Sequence, residues 1–102
     1  MAKLVRDRIP QIIKSSGDEP SIHIASDDEY QSSLVAKLQE EVDEYAESHE
    51  PAELIDIIEV VYALAMQQHI TPEQLEVLRH KKLELRGGFK KRIILDNVLT
   101  KD

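Results

Sequence analysis

The chain contains no cysteine, so it can build neither a disulfide framework nor a thiolate metal site. That composition fits a reducing compartment. Tryptophan is also absent and phenylalanine occurs once, at Phe89, so a core has to be assembled from Leu, Ile, Val and Ala. Glycine is scarce, with three residues. The Gly-x-x-x-x-Gly-Lys phosphate signature is missing, and Gly87-Gly88 reads as a helix stop. No apolar run is long enough to span a bilayer, because acids interrupt every one. The first residues carry Lys3, Arg6, Asp7 and Arg8 in place of the apolar segment of a signal peptide. A cytoplasmic location with no membrane association is therefore expected, and the length of 102 residues suits a single domain over 1–102.

What the chain has in excess is negative charge, and it is segregated. The formal net charge is −7, yet residues 27–59 hold twelve acids and one base, Lys37, for −11. Residues 1–26 sum to +1 and residues 60–102 to +3. An acidic middle with basic flanks suits a site that holds cations and, through them, phosphates. Charge alone equally describes a solvated acidic helix face with ordinary surface lysines. A nucleic-acid polymer is not expected as a partner, since there is no continuous basic stripe and aromatics are few.

The spacing of the acids carries more information than their number. Glu40-Glu41-x-x-Glu44 is followed by Glu53-x-x-Asp56. A three-residue step along a helix turns about 300° and rises about 4.5 Å, so each pair points roughly one way from one face. Asp56 stands in the apolar run Leu54-Ile55-Asp56-Ile57-Ile58, where an unpaired buried carboxylate costs on the order of several kcal/mol. Converging carboxylates need a compensating cation, and the hard, oxygen-seeking Mg²⁺ is the natural one.

The rest of the pattern is helical, giving an expected all-α bundle of about four helices. A first helix is predicted over 7–16, with Ile9, Ile12 and Ile13 on one face and Pro10 in its first turn. A loop follows over 15–25, in which Ile22-His23-Ile24 alternates like a short extended piece. Ser26-x-x-Glu29 is a capping box for a second helix, whose stripe Tyr30, Leu34, Leu38, Val42, Tyr45 runs to about residue 47. Pro51 suits the start of a third helix reaching about residue 69. Thr71-Pro72-Glu73-Gln74 opens a fourth, ending near Leu85 before Gly87-Gly88. The stretch Arg92-Ile93-Ile94-Leu95 reads either as a strand or as an arm across a neighbour. The second and third helices are joined so briefly that they should form an antiparallel hairpin. That hairpin levels Glu41 and Glu44 with Glu53 and Asp56.

Other metal sites are excluded by pattern. No histidine follows a glutamate by three, as a ferritin-like di-iron bundle requires, and there is no EF-hand loop and no His-Glu-x-x-His. The acidic blocks do resemble the signature of the MazG-like all-α nucleoside triphosphate pyrophosphohydrolases. Within them the chain is similar to the small phosphoribosyl-ATP pyrophosphohydrolase-like proteins. The likeness rests on Lys3-Leu4-Val5-Arg6-Asp7-Arg8-Ile9-Pro10, on Lys37-Leu38-x-Glu40-Glu41-Val42-x-Glu44-Tyr45, and on Arg86-Gly87-Gly88-Phe89-x-x-Arg92-Ile93. Only eight residues separate Glu44 from Glu53, short for the wider superfamily.

The resemblance implies cleavage between the α and β phosphates of a nucleotide, giving a monophosphate and pyrophosphate. It implies Mg²⁺, with Mn²⁺ as a substitute, on Glu41, Glu44, Glu53 and Asp56. Glu40 is implied as a ligand of a second metal or as the base that orients water, and Glu40 and Glu41 are the catalytic candidates. Lys37, Arg86, Lys90, Arg92 and Arg6 are the candidate phosphate and substrate contacts. A homodimer or tetramer is expected, since an apolar third helix exceeds what one small chain can cover.

Plainer readings stand beside these. Glu53 also suits the positive end of a helix dipole, and Glu59 is as well placed for an ion pair or solvent as for a metal. Tyr30, Tyr45 and Tyr62 read as core, and His23, His49, His69 and His80 have no ligand spacing. Two other functions remain open: a non-catalytic helical dimerisation or regulatory module, and a divalent-cation-binding protein without phosphate chemistry.

Overall fold

Local signals at the helix ends fix the four elements of the computed structural model, which describes residues 2–100. Of the expected domain over 1–102, residues 1, 101 and 102 lie outside the described residues. The helices are α1 (Ile9–Ser15), α2 (Asp27–Ser48), α3 (Pro51–Gln67) and α4 (Pro72–Arg86), with no strand among the described residues. The all-α expectation is met. The pieces Ile22-His23-Ile24 and Arg92-Ile93-Ile94-Leu95 form no strand, because neither pairs with a second segment, and Arg92 closes a turn by donating its N–H to the Phe89 carbonyl at φ 59°.

The caps explain the boundaries. Thr71 Oγ1 accepts from the Gln74 N–H at 3.2 Å, and the Thr71 N–H donates to Gln74 Oε1 at 2.9 Å, completing a capping box at α4. At α2 only half of the expected box forms. Ser26 Oγ accepts from the Glu29 N–H at 3.3 Å, but the Glu29 carboxylate turns instead to His23 Nε2, 2.9 Å away. His23 thus has a partner that its sequence spacing did not announce. The first helix starts two residues later than expected, at Ile9, with Pro10 in its first turn. Gly87 closes α4 at φ 77°, a conformation that glycine adopts without a Cβ penalty.

The α2–α3 turn is two residues long. His49 enters the left-handed region at φ 57° and donates its N–H to the Tyr45 carbonyl at 2.8 Å. Its ring meets Tyr45 edge-on at 5.8 Å. Pro51 then opens α3 with φ already set. So short a turn folds α3 back along α2, and this antiparallel pair makes the main packing of the chain, with α4 touching only α3.

The core of this hairpin is thin: Leu34, Val60 and Ala65 are the buried apolar residues, and Glu41 is buried beside them. The α2 stripe passes through Leu34, Leu38, Glu41 and Tyr45, and not through Val42, which is exposed. A heptad alternation of four and three residues keeps a stripe facing one partner helix, whereas repeated steps of four drift away from it.

Much apolar surface stays open. Ile55, Ile58, Tyr62 and Met66 form an outer stripe on α3, with Ile55 63% exposed. Tyr62 is therefore a surface residue, contrary to its reading as core, while Tyr30 and Tyr45 are half-buried. Ile12 of α1 is likewise exposed, and Ile9 and Ile13 are half-buried. The radius of gyration is 18.6 Å, against roughly 13 Å for a compact chain of this length. Among the described residues no helix is long and apolar enough to cross a membrane.

Candidate metal centre

The level pairing of α2 and α3 brings the predicted acids together. Glu40, Glu41 and Glu44 present carboxylate oxygens all within 4.8 Å of one another, and so do Glu41, Glu53 and Asp56. Glu41 belongs to both groups, so the five carboxylates form one cluster with Glu41 at its middle.

Burial is distributed differently from the sequence expectation. Asp56, in its apolar run, was the acid expected to be most deeply set, yet its side chain is 38% exposed. The run winds around the helix, so Leu54, Ile55 and Ile58 face outward with it. Glu41 is the buried acid, at 5% exposure, because it occupies a core-facing step of the α2 stripe. Its Oε2 is buried without a hydrogen-bond partner, and Oε1 has Lys37 Nζ at 3.5 Å.

This placement shifts proton affinities in opposite directions along two adjacent residues. Burial pushes the Glu41 pKa up, the neighbouring charges of Glu44 and Asp56 push it further, and Lys37 offsets them in part. Burial acts the same way on Glu40, but Lys37 and Lys3 outweigh it and hold Glu40 below its ordinary value. A cation placed beside Glu41 would relieve both the burial of its charge and the repulsion from Glu44 and Asp56.

Three cations surround the cluster. Lys37 reaches Glu40 at 3.4 Å as well as Glu41. Arg6 Nη2 lies 2.6 Å from Asp56 Oδ1, across fifty positions of sequence. Lys3 Nζ lies 3.5 Å from Glu40 Oε1. Sequence reasoning named Lys37 and Arg6 but missed Lys3, whose one available signal was its three-residue step before Arg6. Residues 3–7 and Ile9 form one wall of a groove of about 620 Å³ whose other walls are α2 and α3. That volume falls among small-molecule clefts, roughly 300–1,000 Å³. Tyr30, Lys37, Glu41, Asp56 and Glu59 line it, so Glu59 faces the groove without an ion-pair partner among the described residues.

Arg86, Lys90 and Arg92 are not brought to the acids. All three are exposed, at the end of α4 or beyond it, and none lines the groove.

The donor set fits a hard divalent cation: oxygen ligands only, and one buried carboxylate oxygen lacking any partner, in a cluster whose five negative charges exceed its three positive ones by two.

No family model matches the chain, and no solved structure matches it. It is similar to a protein of Mycolicibacterium smegmatis described as an uncharacterized protein, at 61% identity over 44 residues. That match covers 43% of this chain and 45% of the relative, so the chain spans under half the length of the protein it matches.

Proposed function

We propose that this chain is a Mg²⁺-dependent nucleotide pyrophosphohydrolase that cleaves between the α and β phosphates and releases a monophosphate and pyrophosphate. The observation that carries the reading is Glu41: a buried carboxylate with an oxygen unpartnered among the described residues, surrounded by Glu40, Glu44, Glu53 and Asp56 toward the turn end of a helix hairpin. The resemblance to the MazG-like pyrophosphohydrolases, and to their phosphoribosyl-ATP pyrophosphohydrolase-like members, supports the same class. A nucleotide-cleansing role suits an enzyme of this kind.

In this reading Glu41, Glu44, Glu53 and Asp56 hold the cation, with Mn²⁺ able to replace Mg²⁺. Bound there, the ion supplies electrophilic activation of the α-phosphoryl group and neutralises its charge. The chain's own residues do the remaining work. Glu40, held by Lys37 on the same helix, accepts a hydrogen bond from the attacking water and orients it; a pKa below the ordinary value suits orientation better than proton abstraction. Lys37 and Arg6 stand at the groove to meet phosphate oxygens as charge shifts to the leaving pyrophosphate.

The thin core, the apolar α3 stripe and the large radius of gyration support assembly of copies into a homodimer or tetramer. Arg86, Lys90 and Arg92 would then serve as phosphate contacts only where a neighbouring copy brings them to an acidic cluster. A cytoplasmic setting accords with the absence of cysteine.

A second reading, a divalent-cation-binding module without phosphate chemistry, is favoured by the distance of those three basic residues from the groove. Turnover separates the two. Mg²⁺-dependent pyrophosphate release from a nucleotide, lost with EDTA, supports the enzyme; cation binding with no turnover across ribo- and deoxynucleoside triphosphates and phosphoribosyl-ATP supports the module.

A further inference from the structure

The segment ahead of α1 has no regular structure over residues 2–6 and yet lies along the groove between α2 and α3. Two side chains tie it there, Lys3 to Glu40 on α2 and Arg6 to Asp56 on α3. Both ties are exposed at one end: the Lys3 and Arg6 side chains are 63% and 51% exposed. Exposed ion pairs of this kind hold a chain only weakly. Between them Val5 is exposed and Leu4 is half-buried against the groove, so one apolar side chain reinforces the two ion pairs.

Asp56 has two claims on it. It shares a ligand-distance cluster with Glu41 and Glu53, and its Oδ1 is also the atom bonded by Arg6. A carboxylate that accepts a divalent cation places that charge beside the guanidinium, and like charges at such separation repel. The guanidinium then needs another anion, and the phosphates of a nucleotide in the same groove are the anions at hand, each offering a pair of oxygens to the planar arginine fork. Lys3 stands in the same relation to Glu40. Lys37 differs, since it is largely buried on α2 and fixed in place.

We propose that residues 3–8 form an exchangeable cationic strap: Lys3 and Arg6 neutralise Glu40 and Asp56 in the metal-free protein and transfer to the phosphates of the substrate when a divalent cation enters the cluster between them. This rests on the pyrophosphohydrolase reading and adds Lys3 to the substrate contacts. The strap thereby orders two events. Cation entry frees the strap, and the freed strap completes the anion site, so cation and polyphosphate bind with positive cooperativity. The reverse order is disfavoured, because before the cation enters Lys3 and Arg6 are engaged by the carboxylates and the cluster keeps a net negative charge that repels a polyphosphate.

The test uses Mn²⁺ alone and then inorganic pyrophosphate in the presence of Mn²⁺, both by calorimetry, on the full chain and on Lys3→Ala and Arg6→Ala. The strap predicts opposite changes in each variant: Mn²⁺ binds several-fold tighter because a competing cation is gone, while pyrophosphate binds about tenfold weaker because a charge-assisted contact is lost. A strap that merely supports the fold predicts that both affinities fall together, which overturns the exchange. The unsubstituted chain gives a second readout in its tryptic cleavage at Arg6 and Arg8, expected to quicken with Mn²⁺ and to slow again when pyrophosphate is added. A rate indifferent to Mn²⁺, in a chain that binds Mn²⁺, also overturns the exchange but leaves the enzyme reading standing. A chain that binds no Mn²⁺ at all overturns both.

Discussion

Glu41→Gln keeps the volume of a buried side chain while removing its charge, and so separates the fold's interest from the site's. In the metal-free protein Glu41 is 5% exposed, has one lysine at 3.5 Å and leaves Oε2 unpartnered. A buried polar group without a partner costs about 1–3 kcal/mol. An amide at the same place can direct its N–H toward the Glu44 and Asp56 carboxylates and keep its carbonyl toward Lys37, which recovers much of that cost. The variant should therefore be more stable than the parent by about 1–2 kcal/mol at pH 7.5 in EDTA. Each kcal/mol moves the melting temperature by about 4–8 °C in a domain of this size.

The pH dependence carries the same sign. The folded pKa of Glu41 is raised above the ordinary 4.5, so its contribution is fully present below that value and is lost as pH rises through the raised one. Glutamine removes that loss, and the stability advantage of the variant should shrink as pH falls toward 4.5. Thermal melts with EDTA and with Mg²⁺ at pH 5 and 7.5 measure all of this. Mg²⁺ should stabilise the parent more at pH 7.5 than at pH 5 and should not stabilise the variant. A variant less stable than the parent in EDTA, or one still raised by Mg²⁺, would refute the reasoning.

The other expected outcomes concern the cluster's frame and the open faces. Lys37→Met leaves Glu40 and Glu41 without their shared cation; metal-free stability should fall by about 1–2 kcal/mol in urea titrations at pH 7.5. The Glu40 pKa is held below 4.5 by its lysines, so its contribution is present above that value and lost as pH falls further; the methionine variant should show less of this acid-side loss. Thr71→Ala removes one half of the α4 capping box and should cost about 1 kcal/mol without altering Mg²⁺ affinity, as melts and calorimetry will show. Ile58→Glu places a charge in the outer α3 stripe, and sedimentation velocity should find the parent assembled and the variant monomeric with its helices intact. A monomeric parent contradicts that expectation.

Much of the fold was legible because its determinants are local. Thr71 with Gln74, Pro51 at the start of α3 and Gly87 at the end of α4 act within one turn, so sequence alone placed these boundaries within a residue or two. The approach of Glu41 to Glu53 and Asp56 was also legible, since a two-residue turn leaves little freedom in the register of a hairpin; Glu44 joins them through Glu41. What could not be read was which face each residue takes once the partner helix is present. Val42 and Glu41 are neighbours, and only the packing of α3 decides that the acid turns inward and the valine outward. Asp56 shows the mirror case: an apolar run in sequence does not bury the acid within it, because Ile55 and Ile58 belong to an open face. The contacts of Lys3 and Arg6 span 37 and 50 positions, and no periodicity encodes a tie that a loop makes at such range.

The most direct test of the account is pyrophosphate release by the purified chain from a panel of ribo- and deoxynucleoside triphosphates and phosphoribosyl-ATP, with Mg²⁺ or with EDTA, alongside Asp56→Ala. The half-exposed Asp56 contributes little to the fold, about 0–1 kcal/mol, so the variant should stay folded by circular dichroism. The account predicts pyrophosphate from at least one nucleotide with Mg²⁺, none with EDTA, and none from the variant. Turnover that persists in EDTA, or is undiminished by Asp56→Ala, contradicts the assignment of the carboxylate cluster as the catalytic metal centre.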